Sequence, residues 1–123
     1  MRVSRDAFEA LVAEALETLP DEFVQRLENV EILVEDWPSR AQRADARLSP
    51  GTMLLGLYEG VPLTERTHDY GLVPPDKISL FQRSIEALCS TPDEVRDEVR
   101  STVIHEIAHH FGISDRRLDE LER

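Results

Sequence analysis

The segment from Thr91 to Phe111 constrains the fold more than any other part of the chain. Its first residues, Thr91-Pro92-Asp93-Glu94, have the pattern of a helix start, with a threonine N-cap, a proline in the first turn and a glutamate that completes a capping box. Apolar residues then recur at four-residue spacing: Val95, Val99, Val103, Ile107 and Phe111. The pattern predicts one long helix, of about twenty residues, that packs an apolar stripe on the core.

The last turns of this helix carry the pattern His-Glu-x-x-His at His105, Glu106 and His109. Residues four apart lie on one face of a helix, so the two imidazoles can bind the same metal ion. The usual interpretation of the motif is a zinc protease in which the glutamate is the general base. Gly112 can end the helix because glycine accepts left-handed backbone angles, and Asp115 then has room to turn back as a third ligand. A fourth position would remain for water.

Each of these residues also has a structural interpretation. Two histidines could simply lie on a surface helix, but the apolar neighbours Ile104 and Ile107 predict a buried helix, in which unpaired polar groups are costly. Glu106 could be a hydrogen-bond partner of a ligand. The carboxylate of Asp115 could instead interact with the dipole at the start of a following helix, although Ser114 can cap that helix and leave Asp115 available.

The histidine at position 110 is a separate case. It directly follows a candidate ligand, and successive helical side chains point about 100° apart. We therefore expect His110 to pack or to support the site, and not to bind the metal.

The stretch from His105 to Asp115 reads H-E-I-A-H-H-F-G-I-S-D and resembles the motif H-E-x-x-H-x-x-G-x-x-D of the short bacterial zincin-like metallopeptidases. It also has the second histidine and the phenylalanine typical of that family. The hydrophobic amino-terminal helix, the P-D-K-I-S-L-F segment and the acidic helix before the motif extend the resemblance over most of the chain. The resemblance implies that His105, His109 and Asp115 bind Zn²⁺, and that Glu106 is the catalytic residue in the hydrolysis of peptide bonds.

The sequence departs from the larger metzincins in one respect. In those enzymes a methionine turn lies beneath the metal and follows the motif in sequence. Met1 and Met53 both precede the motif here. This arrangement agrees with a minimal zincin and leaves the support of the metal site to other residues.

The remaining pattern predicts an α+β fold. We expect a first helix over Ser4–Leu19, capped by Ser4, and strands over Val30–Glu35, Thr52–Glu59 and Lys77–Gln82. The second strand is continuously apolar, which favours a central place in the sheet. The segment 40–50 could be a loop or a short helix. Together with the resemblance, the order of elements predicts a minimal zincin-like fold, in which an N-terminal helix and a long active-site helix pack a small mixed sheet of about three to four strands.

Composition narrows the class of protein further. The 123 residues suit a single domain over 1–123. The chain has 25 acidic and 14 basic residues, a net charge of −11, which argues against a nucleic-acid partner. Its lone cysteine, Cys89, excludes an internal disulfide framework. We find no pattern of a signal peptide or a membrane span and therefore expect a cytoplasmic protein.

Three functions compete at this point. The leading hypothesis is a zinc-dependent metallopeptidase that acts on a peptide or protein substrate. The second is a metal-dependent RNA hydrolase, because some of these enzymes place ligands at the first, fifth and eleventh positions, although they normally lack the glutamate and end in histidine. The third is a metal-binding interaction module with little turnover. By residue type alone, Tyr58, His68 and Tyr70 could stabilise a tetrahedral intermediate, but a structural role is preferred for each.

Overall fold

Three strands and six helices make up the part of the chain that the computed structural model describes, namely residues 1–46, 53–60 and 75–122. The side chains of Asp115, Leu121 and Glu122 lie outside this description. The elements in chain order are α1 (Arg5–Glu17), α2 (Asp21–Arg26), β1 (Val30–Glu35), α3 (Arg40–Asp45), β2 (Gly56–Glu59), β3 (Asp76–Phe81), α4 (Gln82–Ala87), α5 (Pro92–Phe111) and α6 (Asp115–Glu122). The predicted α+β class is confirmed.

The helices begin at the residues whose side chains cap them. The Ser4 hydroxyl accepts a hydrogen bond from the Ala7 backbone N–H at 3.1 Å, as predicted for α1. The Ser39 hydroxyl and the Gln42 side chain form a capping box at α3, so the described part of segment 40–50 is a short helix. Residues 47–50 lie outside the described residues. Such a local hydrogen bond explains why the sequence pattern located the start of α1.

The sheet is mixed and has the order β1-β3-β2. β1 pairs with β3 in parallel, with Ile32 opposite Ile78, and β2 pairs with β3 antiparallel, with Tyr58 opposite Ile78. β1 has the predicted bounds, whereas β3 begins and ends one residue earlier than predicted.

The prediction for the second strand was wrong in two respects. It begins at Gly56, because Met53 to Leu55 are described outside the strand, while Thr52 lies outside the described residues. It also lies at an edge of the described sheet, and β3 takes the centre. The residues from Ile78 to Phe81 are fully buried, whereas β2 is only half-buried after Gly56. The apolar run in β2 reflects coverage by helix α5 rather than a strand on each side.

The core lies between the sheet and the two longest helices. Helix α1 packs against α5 across buried side chains, and the main ones are Phe8, Val12, Ala15, Ile78, Leu80, Val95, Val99, Val103 and Ile107. The four-residue stripe of α5 is therefore confirmed up to Ile107. Phe111, the last residue of the predicted stripe, is 41% exposed and does not join the core. Cys89 is buried in the core, as expected for a lone structural cysteine.

A buried carboxylate attaches the start of the chain to α4. Glu86 accepts hydrogen bonds from the Val3 backbone N–H at 2.9 Å, Gln82 Nε2 at 3.0 Å and Arg83 Nη1 at 2.7 Å. Burial by itself raises the pKa of Glu86, but these three donors outweigh it and hold the pKa below its ordinary value. The carboxylate is therefore stabilised in its charged form.

Among the residues that the structure describes, no helix combines the length and the hydropathy that crossing a bilayer requires.

Candidate metal and catalytic site

Helix α5 begins and ends as its sequence predicts. The Thr91 hydroxyl accepts a hydrogen bond from the Glu94 N–H at 3.1 Å, as predicted. The second bond of the predicted capping box is different, because the Glu94 carboxylate accepts from the Ser90 N–H at 3.1 Å and not from the N–H of Thr91. At the other end, Gly112 has left-handed backbone angles, φ 69° and ψ 30°, and Ile113 N donates to Ala108 O at 2.8 Å. The candidate site therefore occupies the last two turns of a helix with two defined ends.

The two candidate histidine ligands lie on the open side of α5. Ile104, Ile107 and Ala108 are fully buried, whereas His105 and His109 are exposed. The expectation that the histidines would be buried was wrong. An advance of about 100° per residue places the apolar neighbours on one side of the helix and residues four apart together on the other. Both imidazoles are therefore accessible to a metal ion and to a substrate.

The ring of His105 is oriented by the preceding turn of its own helix. Its Nδ1 lies 2.7 Å from the Ser101 carbonyl oxygen and 3.3 Å from the Ser101 hydroxyl. A carbonyl oxygen can only accept, so this contact requires a proton on Nδ1, and in the neutral ring Nε2 then keeps its lone pair. Metal-binding histidines typically have their second ring nitrogen bonded in this way. The orientation of His105 thus fits a zinc ligand that binds through Nε2.

The carboxylate of Glu106 contacts the backbone of strand β2. The Tyr58 N–H donates to Glu106 Oε1 at 2.9 Å. Phe81 N donates to Leu55 O at 2.9 Å, and the alternation of an antiparallel ladder then directs the N–H of Tyr58 away from β3. Glu106 therefore accepts from a strand donor that points towards the helix. Sequence reasoning missed this contact because it joins residues 48 positions apart and involves a backbone donor.

Burial dominates the electrostatics of Glu106. Its half-buried position raises the pKa of the carboxyl above the ordinary value, and the Tyr58 hydrogen bond and the charges of His109 and His105 only partly offset this effect. A carboxylate with a raised pKa binds a proton more readily. It is therefore a stronger base than an exposed glutamate.

Strand β2 can approach α5 closely because the residues two positions before and two positions after Tyr58, Gly56 and Gly60, are both glycines. A Cβ atom added to Gly56 would lie 2.6 Å from Thr102 Cγ2, and one added to Gly60 would lie 3.3 Å from His110 Cε1. Alternate strand residues point to the same side. The two glycines thus allow the strand to lie near enough to the helix for the Tyr58 N–H to reach Glu106.

The side chain of Tyr58 is held at both ends. Its ring stacks on the His110 imidazole, with centroids 3.9 Å apart and planes inclined by 18°, and its hydroxyl donates to Asp76 Oδ2 at 2.7 Å. The prediction that His110 packs or supports the site agrees with this stack. Of the other candidates for stabilising an intermediate, His68 and Tyr70 lie outside the described residues.

Two cavities lie beside the contact between Glu106 and Tyr58. One has a volume of about 270 Å³ and is lined by the β2 entry and by His105, Glu106 and residues one and two turns earlier on α5. The other has a volume of about 430 Å³ and is walled by Tyr58, Phe111 and the segment from Glu22 to Val30. The first cavity thus adjoins the candidate catalytic carboxylate, and the second adjoins the ring of Tyr58.

Ser114 caps helix α6, as predicted. Its hydroxyl accepts from Arg117 N at 3.2 Å, and its carbonyl accepts from Leu118 N at 3.0 Å. Asp115 is the first residue of α6, but its side chain lies outside the described part of the structure. Among the described side chains, no group of three His, Cys, Asp or Glu converges on one point. The participation of Asp115 in metal binding therefore stays a prediction.

The chain belongs to the zincin-like metallopeptidase family, whose family model matches residues 27–123. Membership confirms the family that the sequence resembles and implies a metal cofactor, typically zinc. The chain is also similar to the solved structure of a conserved hypothetical protein from Thermo thermophilus, with 24% identity and a TM-score of 0.55 over 89% of this chain and 94% of that one. At this identity the likeness shows the fold. No curated protein matches the chain.

Proposed function

We propose that the protein is a zinc-dependent metallopeptidase with Glu106 as its general base. The contact that carries this proposal is the hydrogen bond from the Tyr58 N–H to Glu106 Oε1. It holds a half-buried carboxylate next to two exposed histidines on one helical face. A glutamate with a purely structural role would not need His105 directly before it and His109 three residues after it.

The metal would be held by His105, His109 and Asp115. The donor set fits zinc, which takes imidazole nitrogen and carboxylate oxygen and keeps one position open in catalytic sites. The bond between His105 Nδ1 and the Ser101 carbonyl supports this assignment, because it leaves Nε2 as the ligand atom. When bound, zinc would lower the pKa of water to about 7 and polarise the scissile carbonyl.

Glu106 would move the proton during catalysis. The Tyr58 hydrogen bond uses Oε1, so Oε2 can accept a proton from water as that water attacks the peptide carbonyl. The protonated carboxyl would then give this proton to the peptide nitrogen as it leaves. One residue would thus be the base in the first step and the acid in the second.

We propose a peptide or protein as the substrate. The net charge of −11 opposes close approach of an RNA backbone, and the cavities beside Glu106 and Tyr58 could receive side chains of a bound peptide. A basic peptide segment would gain from the same charge.

The substitution Glu106→Gln tests this proposal directly. Glutamine has nearly the same shape and its amide oxygen can still accept from the Tyr58 N–H, but it cannot take a proton. We expect bound zinc to be unchanged, while the rate of cleavage of a fluorogenic peptide library falls about 10²- to 10⁴-fold. His105→Ala is the matched ligand variant, which we expect to lose zinc and activity together.

Two results would contradict the proposal. One is purified wild-type protein that binds no zinc in a metal titration. The other is a Glu106→Gln variant that cleaves peptides at the wild-type rate.

A further inference from the structure

We propose that His110 is a positioning residue that clamps Tyr58 to helix α5 and thereby keeps the Tyr58 N–H on Glu106. This inference rests on the proposed function for its catalytic consequence. The clamp itself involves only contacts within the protein and does not depend on the proposed activity. His110 acts here through its ring face and does not bind the metal.

The geometry of the stack is the first support for the clamp. The rings of His110 and Tyr58 are 3.9 Å apart at an angle of 18°, which is face-to-face contact over most of the imidazole. The Phe111 ring meets both from the edge, at centroid distances of 4.8 Å to His110 and 6.1 Å to Tyr58. Aromatic pairs of this kind contribute beyond the area they bury. The contact is thus strong enough to influence where the strand lies.

One strand residue also joins two helix residues. Glu106 and His110 are four positions apart, so they lie one above the other on the same face of α5. Glu106 binds the backbone of Tyr58, and His110 binds its ring. Both contacts therefore respond to the same small movement of β2 relative to the helix.

The position of β2 makes this attachment important. In the described sheet it is an edge strand, held on one side by β3. Its opposite side meets α5 through the Tyr58 N–H, which points away from β3. A single hydrogen bond makes only a modest net contribution to stability, because it replaces hydrogen bonds with water. The stack supplies a second attachment to the helix at the same residue.

The exposure of His110 separates this role from core packing. The imidazole lies on the protein surface although it stacks on Tyr58. Its removal creates no buried cavity, so variants at this position should fold. His110 is also poorly placed to bind the metal, because helix geometry turns its side chain about 100° away from that of His109.

Gly60, the residue directly after strand β2, provides further support. A Cβ atom at Gly60 would lie 3.3 Å from His110 Cε1, tighter than ordinary van der Waals contact. The absence of a side chain there leaves room for the imidazole to lie flat on Tyr58. The stack thus depends on a small residue two positions beyond Tyr58.

The test compares His110→Ala with His110→Phe, which keeps a flat ring but has no ring nitrogen, and with His110→Leu, which keeps apolar bulk without a ring. Amide hydrogen exchange of Tyr58 is measured by NMR in metal-free protein. We expect exchange to be about tenfold faster or more in His110→Ala, intermediate in His110→Leu and close to wild type in His110→Phe. Zinc affinity should be unchanged in all three.

The catalytic readout follows from the same comparison. We expect kcat for peptide cleavage to fall about 10- to 100-fold in His110→Ala with little change in KM, because a misplaced base affects the chemical step. Most of this loss should be recovered in His110→Phe. A general loss of structure would lower the activity of all three variants alike.

Two outcomes would overturn the clamp. The first is unchanged Tyr58 exchange in His110→Ala. The second is a loss of zinc affinity in His110→Ala and His110→Phe alike, which would make His110 a ligand. If the wild-type protein cleaves no peptide, the proposed function fails, while the exchange measurement still decides whether the clamp exists.

Discussion

Substitution of Gly56 by alanine is expected to separate strand β2 from helix α5. The new Cβ would lie 2.6 Å from Thr102 Cγ2 and 3.1 Å from the Ser79 carbonyl oxygen. Carbon atoms pack best at about 3.5–4.0 Å, so the Cγ2 atom of Thr102 and the new Cβ atom of residue 56 must move apart by roughly 1 Å. Thr102 is buried on a helix that itself packs in the core, which leaves the strand as the part that shifts.

The expected cost follows from two opposing effects. Overpacking at a buried contact destabilises by about 1–3 kcal/mol. Alanine also restricts the unfolded chain, which returns about 0.4–1 kcal/mol when the native backbone angles suit it. Among the described glycines, Gly112 has a positive φ and Gly56 does not. The backbone angles of Gly56 are therefore ones that alanine can adopt. We therefore expect a net loss of about 1–2 kcal/mol in the free energy of unfolding.

A double-mutant cycle with Thr102→Ser locates the clash. Serine keeps the hydroxyl and removes Cγ2, so the double variant should recover most of the loss caused by Gly56→Ala. Recovery should be incomplete because the contact with the Ser79 carbonyl oxygen remains. Urea unfolding of the four proteins measures the coupling, and Tyr58 amide exchange reports whether the shift also weakens the hydrogen bond to Glu106.

Either of two results would refute this prediction. An unchanged or raised urea midpoint for Gly56→Ala would mean that the strand and helix do not approach as closely as described. Additive effects of the two substitutions would place the strain somewhere other than at the Thr102 methyl group.

Two further predictions concern local features of the fold. Gly112→Ala should lower Tm because φ is 69°, a left-handed backbone that costs an alanine about 1–2 kcal/mol. Among the described residues no atom lies within 4 Å of the new methyl group, so backbone strain is the expected cause, and an unchanged Tm in thermal unfolding would contradict this. Because the folded-state pKa of Glu86 is lowered, its stabilising contribution is present above its ordinary pKa of 4.5 and is lost as the pH falls below that value through the folded pKa. Glu86→Gln should therefore be less stable at neutral pH and show a smaller decrease in stability on acidification, whereas equal urea midpoints for both proteins at every pH would exclude this role.

The helices were largely predictable because their signals are local. Ser4, Thr91 and Ser114 cap the helices at which their hydroxyls were expected, and Gly112 ends α5 in the expected conformation. Each of these signals depends on bonds within about four residues. A pattern of hydroxyl, glycine and apolar spacing is therefore sufficient to identify them.

The sheet was less predictable because strand order depends on distant partners. The apolar run before Tyr58 predicted a central strand, but such a run indicates only that both sides are covered. In the structure α5 provides part of that cover, and β3 lies at the centre. The identity of the covering element is a property of the packing, which local pattern does not contain.

The sequence alone determined that His105 and His109 share one face of a long helix, because helical periodicity relates residues four apart irrespective of the surroundings. The tertiary structure decided the rest of the described site. Packing against the core made that face the open one, and it brought the Tyr58 N–H to Glu106 from 48 residues away. The physical reason is that spacing along a helix is set by backbone geometry, whereas the environment of a carboxylate is set by whichever part of the chain packs against it.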